Sequence, residues 1–239
     1  MNTSFGLEQC FSYITCHLKP PAKPVRSARD TERPPTVTIS RQTGAGAHAI
    51  AAKLAAYLQA NGPKDKVPWT VFDRELVGKV LEEHNLPKEL ARFMPEDRVS
   101  AIDDMLEEYL GLHPDSSTLV RQTTETILHL AELGRVILLG RGANVITSKL
   151  SNVFHVRLVA PLEKRVQYVQ ETQHLSRKAA QAFVEKEDRG RRRYLKRYFD
   201  ADTDDPLLYD LTINTERISF DDAARMIGEA VLGRFKPAD

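Results

Sequence analysis

A short β-branched run that leads through a glycine turn into an alanine-rich segment constrains this chain more than any other feature. The run covers residues 36–40, the turn contains Gly44 and Gly46, and residues 47–58 repeat apolar side chains at helical spacing. Glycine permits positive φ and a close approach of the backbone. A helix that begins directly after such a turn presents its N–H groups and the positive end of its dipole to an anion. The pattern predicts a phosphate-binding loop between a first strand and a first helix.

The loop lacks two groups that a complete phosphate loop carries. The full pattern is G-x-x-x-x-G-K-[ST], but Ala47 stands in the lysine slot and His48 follows it. Arg41 lies just before the turn, and its planar guanidinium matches phosphate oxygens. We therefore predict that Arg41 is a catalytic cation, with a surface ion pair as its alternative role. The predicted phosphate-binding residues are Gly44, Ala45, Gly46, Ala47, His48 and Ala49.

Charged residues also follow the second and third predicted strands. Asp73 and Arg74 come after a strand at 69–72, and Arg141 follows the apolar strand 136–139 between two glycines. Ligands of open parallel sheets bind outside the carboxyl ends of the strands. We therefore predict that Asp73, Arg74 and Arg141 bind an acceptor. Asp73 could instead cap the next helix, and Arg141 could form a structural ion pair.

An arginine-rich segment is predicted at residues 186–200, on a helix that runs from Ser176 to about Phe199. Arg189, Arg193 and Arg197 are four residues apart, so they share one helical face. A movable helix of this kind can close over a polyphosphate and stabilise a transferring phosphoryl group. We predict that this segment is a lid in which Arg189 and Arg193 are catalytic. A solvated or nucleic-acid-facing stripe is the alternative.

Strand-like and helix-like segments alternate from residue 36 onward, which is typical of a parallel sheet. Residues 1–35 are rich in proline, and we expect a flexible N-terminal extension there, with a short docked helix as the alternative. Residues 36–239 form one predicted domain, in which 75–133 are a helical insert. The predicted strands are 36–40, 69–72, 136–139, 153–159 and 209–213.

Composition excludes several classes of function. Lys and Arg total 34 against 33 for Asp and Glu, a net charge of +1, so a nucleic-acid partner is not expected. No run approaches the ~18 apolar residues of a membrane span. Cys10 and Cys16 are the two cysteines, too few for a disulfide framework or a four-ligand zinc site. A cytoplasmic protein is expected.

Five motifs, in order along the chain, make this sequence resemble the cytidylate kinase-like family of P-loop nucleoside monophosphate kinases. The opening T-I-S-R-Q-T-G-A-G-A-H-A-I is similar to the family's I-S-R-x-x-G-S-G-G-x-x-I. The other four are F-D-R-E-L at 72–76, L-G-R at 139–141, A-P-L-E-K-R at 160–165 and Y-D-L-T-I-N-T at 209–215.

The resemblance implies a five-stranded parallel sheet in the order 2-3-1-4-5, with helices on both faces. It implies ATP and Mg²⁺ as cofactors, a nucleotide or small phosphorylated molecule as partner, and phosphoryl transfer to a nucleoside monophosphate as the activity. In this family the glycine loop holds the donor phosphates, and the arginines of the lid assist transfer. The metal ligands stay open, because Ala47 and His48 replace the usual residues. A nucleotide sensor without turnover is the alternative function.

Overall fold

The structure, a computed structural model, describes residues 3–18, 33–64, 67–73, 118–140 and 142–235. Its strands are β1 (Thr36–Arg41), β2 (Thr70–Phe72), β3 (Val136–Leu139), β4 (Val153–Val159) and β5 (Leu211–Asn214). Its helices are α1 (Thr3–Leu18), α2 (Ala47–Asn61), α3 (Thr118–Leu133), α4 (Ala143–Ile146), α5 (Leu162–Gln173), α6 (Arg177–Phe199) and α7 (Phe220–Arg234). The helices predicted within residues 75–117 lie outside the described residues. None of the helices described is both long and apolar enough to cross a membrane.

The five strands pair in parallel in the order β2-β3-β1-β4-β5, which confirms the predicted sheet. The central strand β1 lies between β3 and β4, so Val37 is flanked by Ile137 and Phe154. Every residue of β3 is buried, as expected for a strand covered on both faces. Strand β5 begins two residues later than predicted, because a short 3-10 helix at Pro206–Leu208 precedes it.

The alternation of side chains along the strands directs the apolar residues of the sheet into two cores. Val136 and Leu138 pack with α1, α3 and α4 on one face, whereas Ile137 and Leu139 pack with α2 and α7 on the other. A smaller apolar cluster joins α5 to α6. Helices therefore cover both faces, as predicted, and the carboxyl ends of the strands form the edge at which ligands of open parallel sheets generally bind.

Helix α1 packs on the domain, whereas the sequence favoured a flexible extension. Cys10, Tyr13 and Ile14 are buried in the core that α3 also covers. Tyr13 Oη donates to the carbonyl of Gly134 at 2.5 Å, and its ring meets Phe72 edge-on. The apolar side chains lie three and four residues apart, and the prolines begin only after the helix ends. The docked-helix alternative therefore describes α1, while the domain boundary at residue 35 stays a prediction.

The two cysteines provide a check on this packing. Cys10 is buried and Cys16 is exposed. Burial, with the charge of Asp73 in the same direction, raises the pKa of the Cys10 thiol to about 12, so little reactive thiolate forms near neutral pH. We expect a thiol reagent to modify one cysteine of the native protein quickly and the second only on unfolding, and Cys16→Ser to remove the fast reaction. Rapid modification of both cysteines in the native protein would contradict the docked position of α1.

Candidate active site

The loop between β1 and α2 depends on its two glycines. Gly44 and Gly46 have φ angles of +84° and +78°, in the left-handed region that favours glycine. A Cβ on Gly44 would collide with the carbonyl group of Arg165, and a Cβ on Gly46 would collide with the ring of Phe220. The glycines therefore allow the turn and also its close packing against α5 and α7. The positive end of the α2 dipole lies at the carboxyl end of β1 as a result.

Asp188 of α6 reaches across to this loop. Its carboxylate accepts hydrogen bonds from the backbone N–H of Thr43 at 2.8 Å and from the Thr43 hydroxyl at 2.6 Å. The second carboxylate oxygen accepts from Nη1 of Arg165 at 2.8 Å. Arg191, three residues after Asp188, donates to the same carboxylate at 3.1 Å and also to the Thr43 hydroxyl. We call Thr43, Arg165, Asp188 and Arg191 the loop clamp.

The loop clamp is largely shielded from water. The side chains of Arg165 and Asp188 are 9% and 14% exposed, so their charges interact more strongly than a surface pair does. Arg165 also donates to the carbonyls of Thr43 and Ala160. Burial lowers the pKa of Arg191, and the charge of Asp188 opposes that effect. The clamp therefore fixes α6 against both the glycine loop and α5.

A cavity of about 300 Å³ opens beside the loop clamp, at the carboxyl ends of β1 and β3. Three arginines from different elements line it: Arg41 from β1, Arg157 from β4 and Arg191 from α6. Glu187 is the single acidic side chain among the described residues of its wall. Cavities of this size hold small ligands, and the surplus of positive charge favours an anion.

Arg157 presents a fixed positive charge from a buried strand. It is 6% exposed, donates to Ser40 Oγ at 2.8 Å and to an Asp204 carboxylate oxygen at 3.0 Å. The ring of Tyr209 lies 5.7 Å from its guanidinium, and the Tyr209 hydroxyl donates to the carbonyl of Thr203. Because these contacts already hold the side chain, an anion that binds Arg157 orders little that was mobile before.

Arg41, the predicted catalytic cation, ends β1 and lines the cavity. Its guanidinium lies against Gly140, where a Cβ would collide with Nη1, and Gly140 has a φ of +76°. A larger residue at position 140 would displace Arg41. Gly140 therefore makes room for Arg41. Arg141 itself lies outside the described residues.

The first turn of α2 brings His48 to the end of β2. Nε2 of His48 lies 3.3 Å from a carboxylate oxygen of Asp73, with the two side chains 57% and 22% exposed. This pair joins a residue predicted to bind phosphate to one predicted to bind the acceptor. Ala45 and Ala47 are buried in the core, so phosphate contacts at these positions would come from the backbone. Arg74 lies beyond the described part of β2.

Arg189 and Arg193 are exposed on α6, where they line a separate surface depression with Arg197. Neither contributes to the wall of the cavity that contains Arg41 and Arg191. The fold therefore brings Arg191, rather than the predicted stripe, to the glycine loop. The catalytic role of Arg189 and Arg193 stays a prediction.

A sequence model of the cytidylate kinase-like family matches residues 36–217. This range contains the glycine loop, the loop clamp and the residues that line the cavity. The chain belongs to the cytidylate kinase-like family. Membership supports a nucleotide-binding, kinase-like function, with nucleotide and metal use in general.

Individual relatives of this family member are distant. An uncharacterized protein from Eubacterium ventriosum has a crystal structure that superposes with a TM-score of 0.54 at 20% identity, over 83% of this chain and 98% of that one. TT1252 from Thermus thermophilus gives a TM-score of 0.45 at 20% identity, over 86% and 100%. Among curated proteins, a uronate isomerase from Corynebacterium glutamicum is 28% identical over 120 residues, which are 50% of this chain and 23% of that protein. The first of these likenesses shows the fold alone.

Four charged residues that build the site were not among the predicted site residues: Arg157, Arg165, Asp188 and Arg191. Each carries a signal in the sequence: Arg157 interrupts an apolar strand, Arg165 belongs to the family-like segment A-P-L-E-K-R, and Asp188 and Arg191 lie in the arginine-rich segment 186–200. The pairing itself has no local signal, because Asp188 lies 145 residues after Thr43.

Asp188→Asn removes the negative charge of the loop clamp and keeps its shape. We expect the free energy of unfolding to fall by about 2–3 kcal/mol, because two shielded arginines lose their carboxylate partner. Asp221→Asn is the control, since the Asp221 side chain is 78% exposed and pairs with Lys53. We expect this variant to lower the free energy of unfolding by less than about 1 kcal/mol. Urea unfolding followed by circular dichroism measures both variants. An equal fall in the free energy of unfolding in Asp188→Asn and Asp221→Asn would show that the loop clamp does not stabilise the fold more than a surface ion pair does.

Proposed function

We propose that the chain catalyses ATP-dependent phosphoryl transfer to a nucleoside monophosphate or a related small phosphate acceptor. The observation that carries this proposal is the position of the cavity, which lies beside the glycine loop and is lined by arginines from β1, β4 and α6. A glycine loop before a helix suits donor phosphates, and a cationic cavity suits an acceptor phosphate. Transfer between two phosphates requires two such sites side by side.

The proposed chemistry depends on placement and on neutralised charge rather than on a covalent intermediate. An oxygen of the acceptor phosphate attacks the γ-phosphorus of ATP, the bond from that phosphorus to the bridging oxygen breaks, and ADP leaves with the negative charge. Arg41 neutralises the donor phosphates in the absence of a loop lysine. Arg191 contacts the phosphoryl group in transit, because it lies between the loop and the cavity. Arg157 holds the acceptor phosphate.

The reaction implies magnesium, which ordinarily bridges the donor phosphates. His48 stands in the slot of the usual hydroxyl ligand, and both the Thr43 hydroxyl and the Asp188 carboxylate are engaged in the loop clamp. These residues do not fit a magnesium ion held by the protein, and we assign no step to it.

A nucleotide sensor without turnover is the second candidate function. It is favoured by two observations on the glycine loop: Ala47 replaces the lysine, and the Asp188 carboxylate takes the Thr43 N–H. A carboxylate at that position repels a donor phosphate unless α6 shifts. Phosphoryl transfer relies on positive charge around the phosphates. A loop that lacks the lysine and carries a carboxylate therefore suits nucleotide binding better than it suits rapid turnover.

A coupled assay of ADP release separates the two candidate functions. We expect turnover when ATP and Mg²⁺ are combined with one member of a panel of nucleoside monophosphates, because both anion sites are then filled. Calorimetry with each nucleotide alone measures binding. Nucleotide binding without turnover for any acceptor would support the sensor, and neither binding nor turnover would overturn both candidates.

Arginine variants test which side chains act in transfer. We expect Arg41→Ala and Arg191→Ala each to lower kcat/KM about tenfold or more, since a charge-assisted contact contributes roughly 1.5–3 kcal/mol. The double change Arg189→Ala and Arg193→Ala on the same helix tests the predicted catalytic role of the exposed stripe. The melting temperature of each variant separates loss of activity from loss of fold. A larger loss in the double variant than in Arg191→Ala would assign transfer to the exposed stripe.

A further inference from the structure

Two concave surfaces adjoin along helix α6. One is the cavity beside the loop clamp, with a volume of about 300 Å³. The other is the surface depression around Arg193 and Arg197, with a volume of about 440 Å³, which we call the outer depression. Three residues line both of them: Glu187, Gly190 and Tyr194. These residues are three and four positions apart, so they lie on one face of the helix. We call this face the shared edge.

Gly190 leaves the shared edge open. A Cβ at this position would meet no heavy atom of the described residues within 4 Å, and Gly190 is exposed. Glycine is unfavourable inside a helix, so a glycine there usually has a packing reason. Gly228 of α7 has one, because a Cβ on it would collide with the ring of Tyr57. Gly233 of α7 is as open as Gly190 but lines neither the cavity nor the outer depression.

The outer depression combines aromatic rings with positive charge. The rings of Tyr194 and Tyr198 pack together with their centroids 5.2 Å apart. The guanidinium of Arg197 lies over the ring of Tyr198, 5.7 Å from its centroid. Lys186 and Arg193 also line the depression. Aromatic rings and guanidinium planes bind nucleic-acid bases by stacking, so this surface suits an aromatic base.

Glu187 places a carboxylate on the shared edge. Its side chain is 34% exposed, and one of its oxygens lies 3.7 Å from a guanidinium nitrogen of Arg191. A carboxylate accepts hydrogen bonds from hydroxyl groups and repels phosphate. The shared edge therefore suits a neutral ligand group that carries hydroxyls, such as a sugar.

We propose that Gly190 is a specificity-determining residue that leaves room for a ligand to extend across α6. The phosphate of this ligand lies in the cavity, its sugar lies at the shared edge, and its base lies in the outer depression. The inference rests on the proposed function, because it takes the arginines of the cavity to bind the phosphate. It narrows the acceptor to a phosphate monoester that carries a nucleoside. A side chain at position 190 would project into the space through which this ligand passes.

The variant Gly190→Leu fills the shared edge, and Gly233→Leu is its matched control, because both glycines are helical, exposed and open. Calorimetry compares both variants with the parent on inorganic phosphate and on a panel of nucleoside monophosphates. We expect Gly190→Leu to bind the preferred monophosphate about tenfold more weakly or worse, because the added side chain overpacks the bound state. Its binding of inorganic phosphate should not change, and Gly233→Leu should bind both probes like the parent. Unchanged binding of the monophosphate by Gly190→Leu would overturn the proposal, as would an equal loss for inorganic phosphate.

Thermal unfolding without ligand gives a readout that a purely structural role would move in the other direction. Gly190→Ala replaces an exposed helical glycine by the best helix former. We therefore expect this variant to melt above the parent and yet to bind the monophosphate more weakly. A lower melting temperature in Gly190→Ala would make Gly190 a structural residue and overturn the proposal.

The variant Tyr198→Leu tests the position of the base. Tyr198 lines the outer depression and is not among the described residues of the cavity wall. We expect about tenfold weaker binding of the monophosphate, since a stacking surface is lost, and unchanged binding of ribose 5-phosphate, which has no base. Unchanged binding of the monophosphate, or an equal loss for ribose 5-phosphate, would overturn the placement of the base.

The same measurements separate this inference from the proposed function. A parent that turns over nucleotides while Gly190→Leu behaves identically overturns the inference and keeps the proposed function. A parent that binds monophosphates without turnover overturns transfer, and the binding comparison then decides the role of Gly190 alone. A parent that binds no monophosphate overturns both.

Discussion

Asp188 places a carboxylate against the backbone N–H of Thr43, and the arrangement of the site follows from that contact. The carboxylate satisfies the loop N–H and hydroxyl while it pairs with Arg165 and Arg191. Because Arg191 is held in this way, α6 forms one wall of the cavity next to the loop. The loop, the cavity and the helix therefore form one polar unit, and a change at any of the four residues of the loop clamp should be felt at the others.

Two of the three cavity arginines already pair with carboxylates before any ligand binds. Arg157 pairs with Asp204, and Arg191 pairs with Asp188 and Glu187. Shielded charges without partners would be costly, so these carboxylates keep the arginines stable in the empty state. A phosphate group then competes with carboxylates for the same guanidinium groups, which lowers the net gain from each contact. Selectivity in such a site depends more on the shape of the cavity.

Local patterns predicted most of the fold, because each strand is short, apolar and followed by a turn or a helix. Strand β3 and the loop at Gly44 and Gly46 were found in this way. The packing of α1 was only the alternative expectation, since the proline-rich sequence beside it suggested an extended chain. In the site, the sequence predicted roles for the glycine loop, Arg41, Arg189 and Arg193, and these roles stay predictions. Helical spacing selected Arg189 and Arg193, whereas Arg191 is the arginine of α6 that contacts the loop. Spacing shows which residues share a face, but it does not show which face meets a loop that lies far away in the sequence.

Hydrogen exchange measured with and without a non-hydrolysable ATP analogue tests most directly whether the loop and α6 act as one unit. In the parent we expect residues 42–50 and residues of α6 to change their protection together when the analogue binds, since Asp188 links the two segments. In Asp188→Asn the loop should respond while α6 changes little. Protection of the loop without any change in α6 of the parent would contradict the account, as would an analogue that alters neither segment.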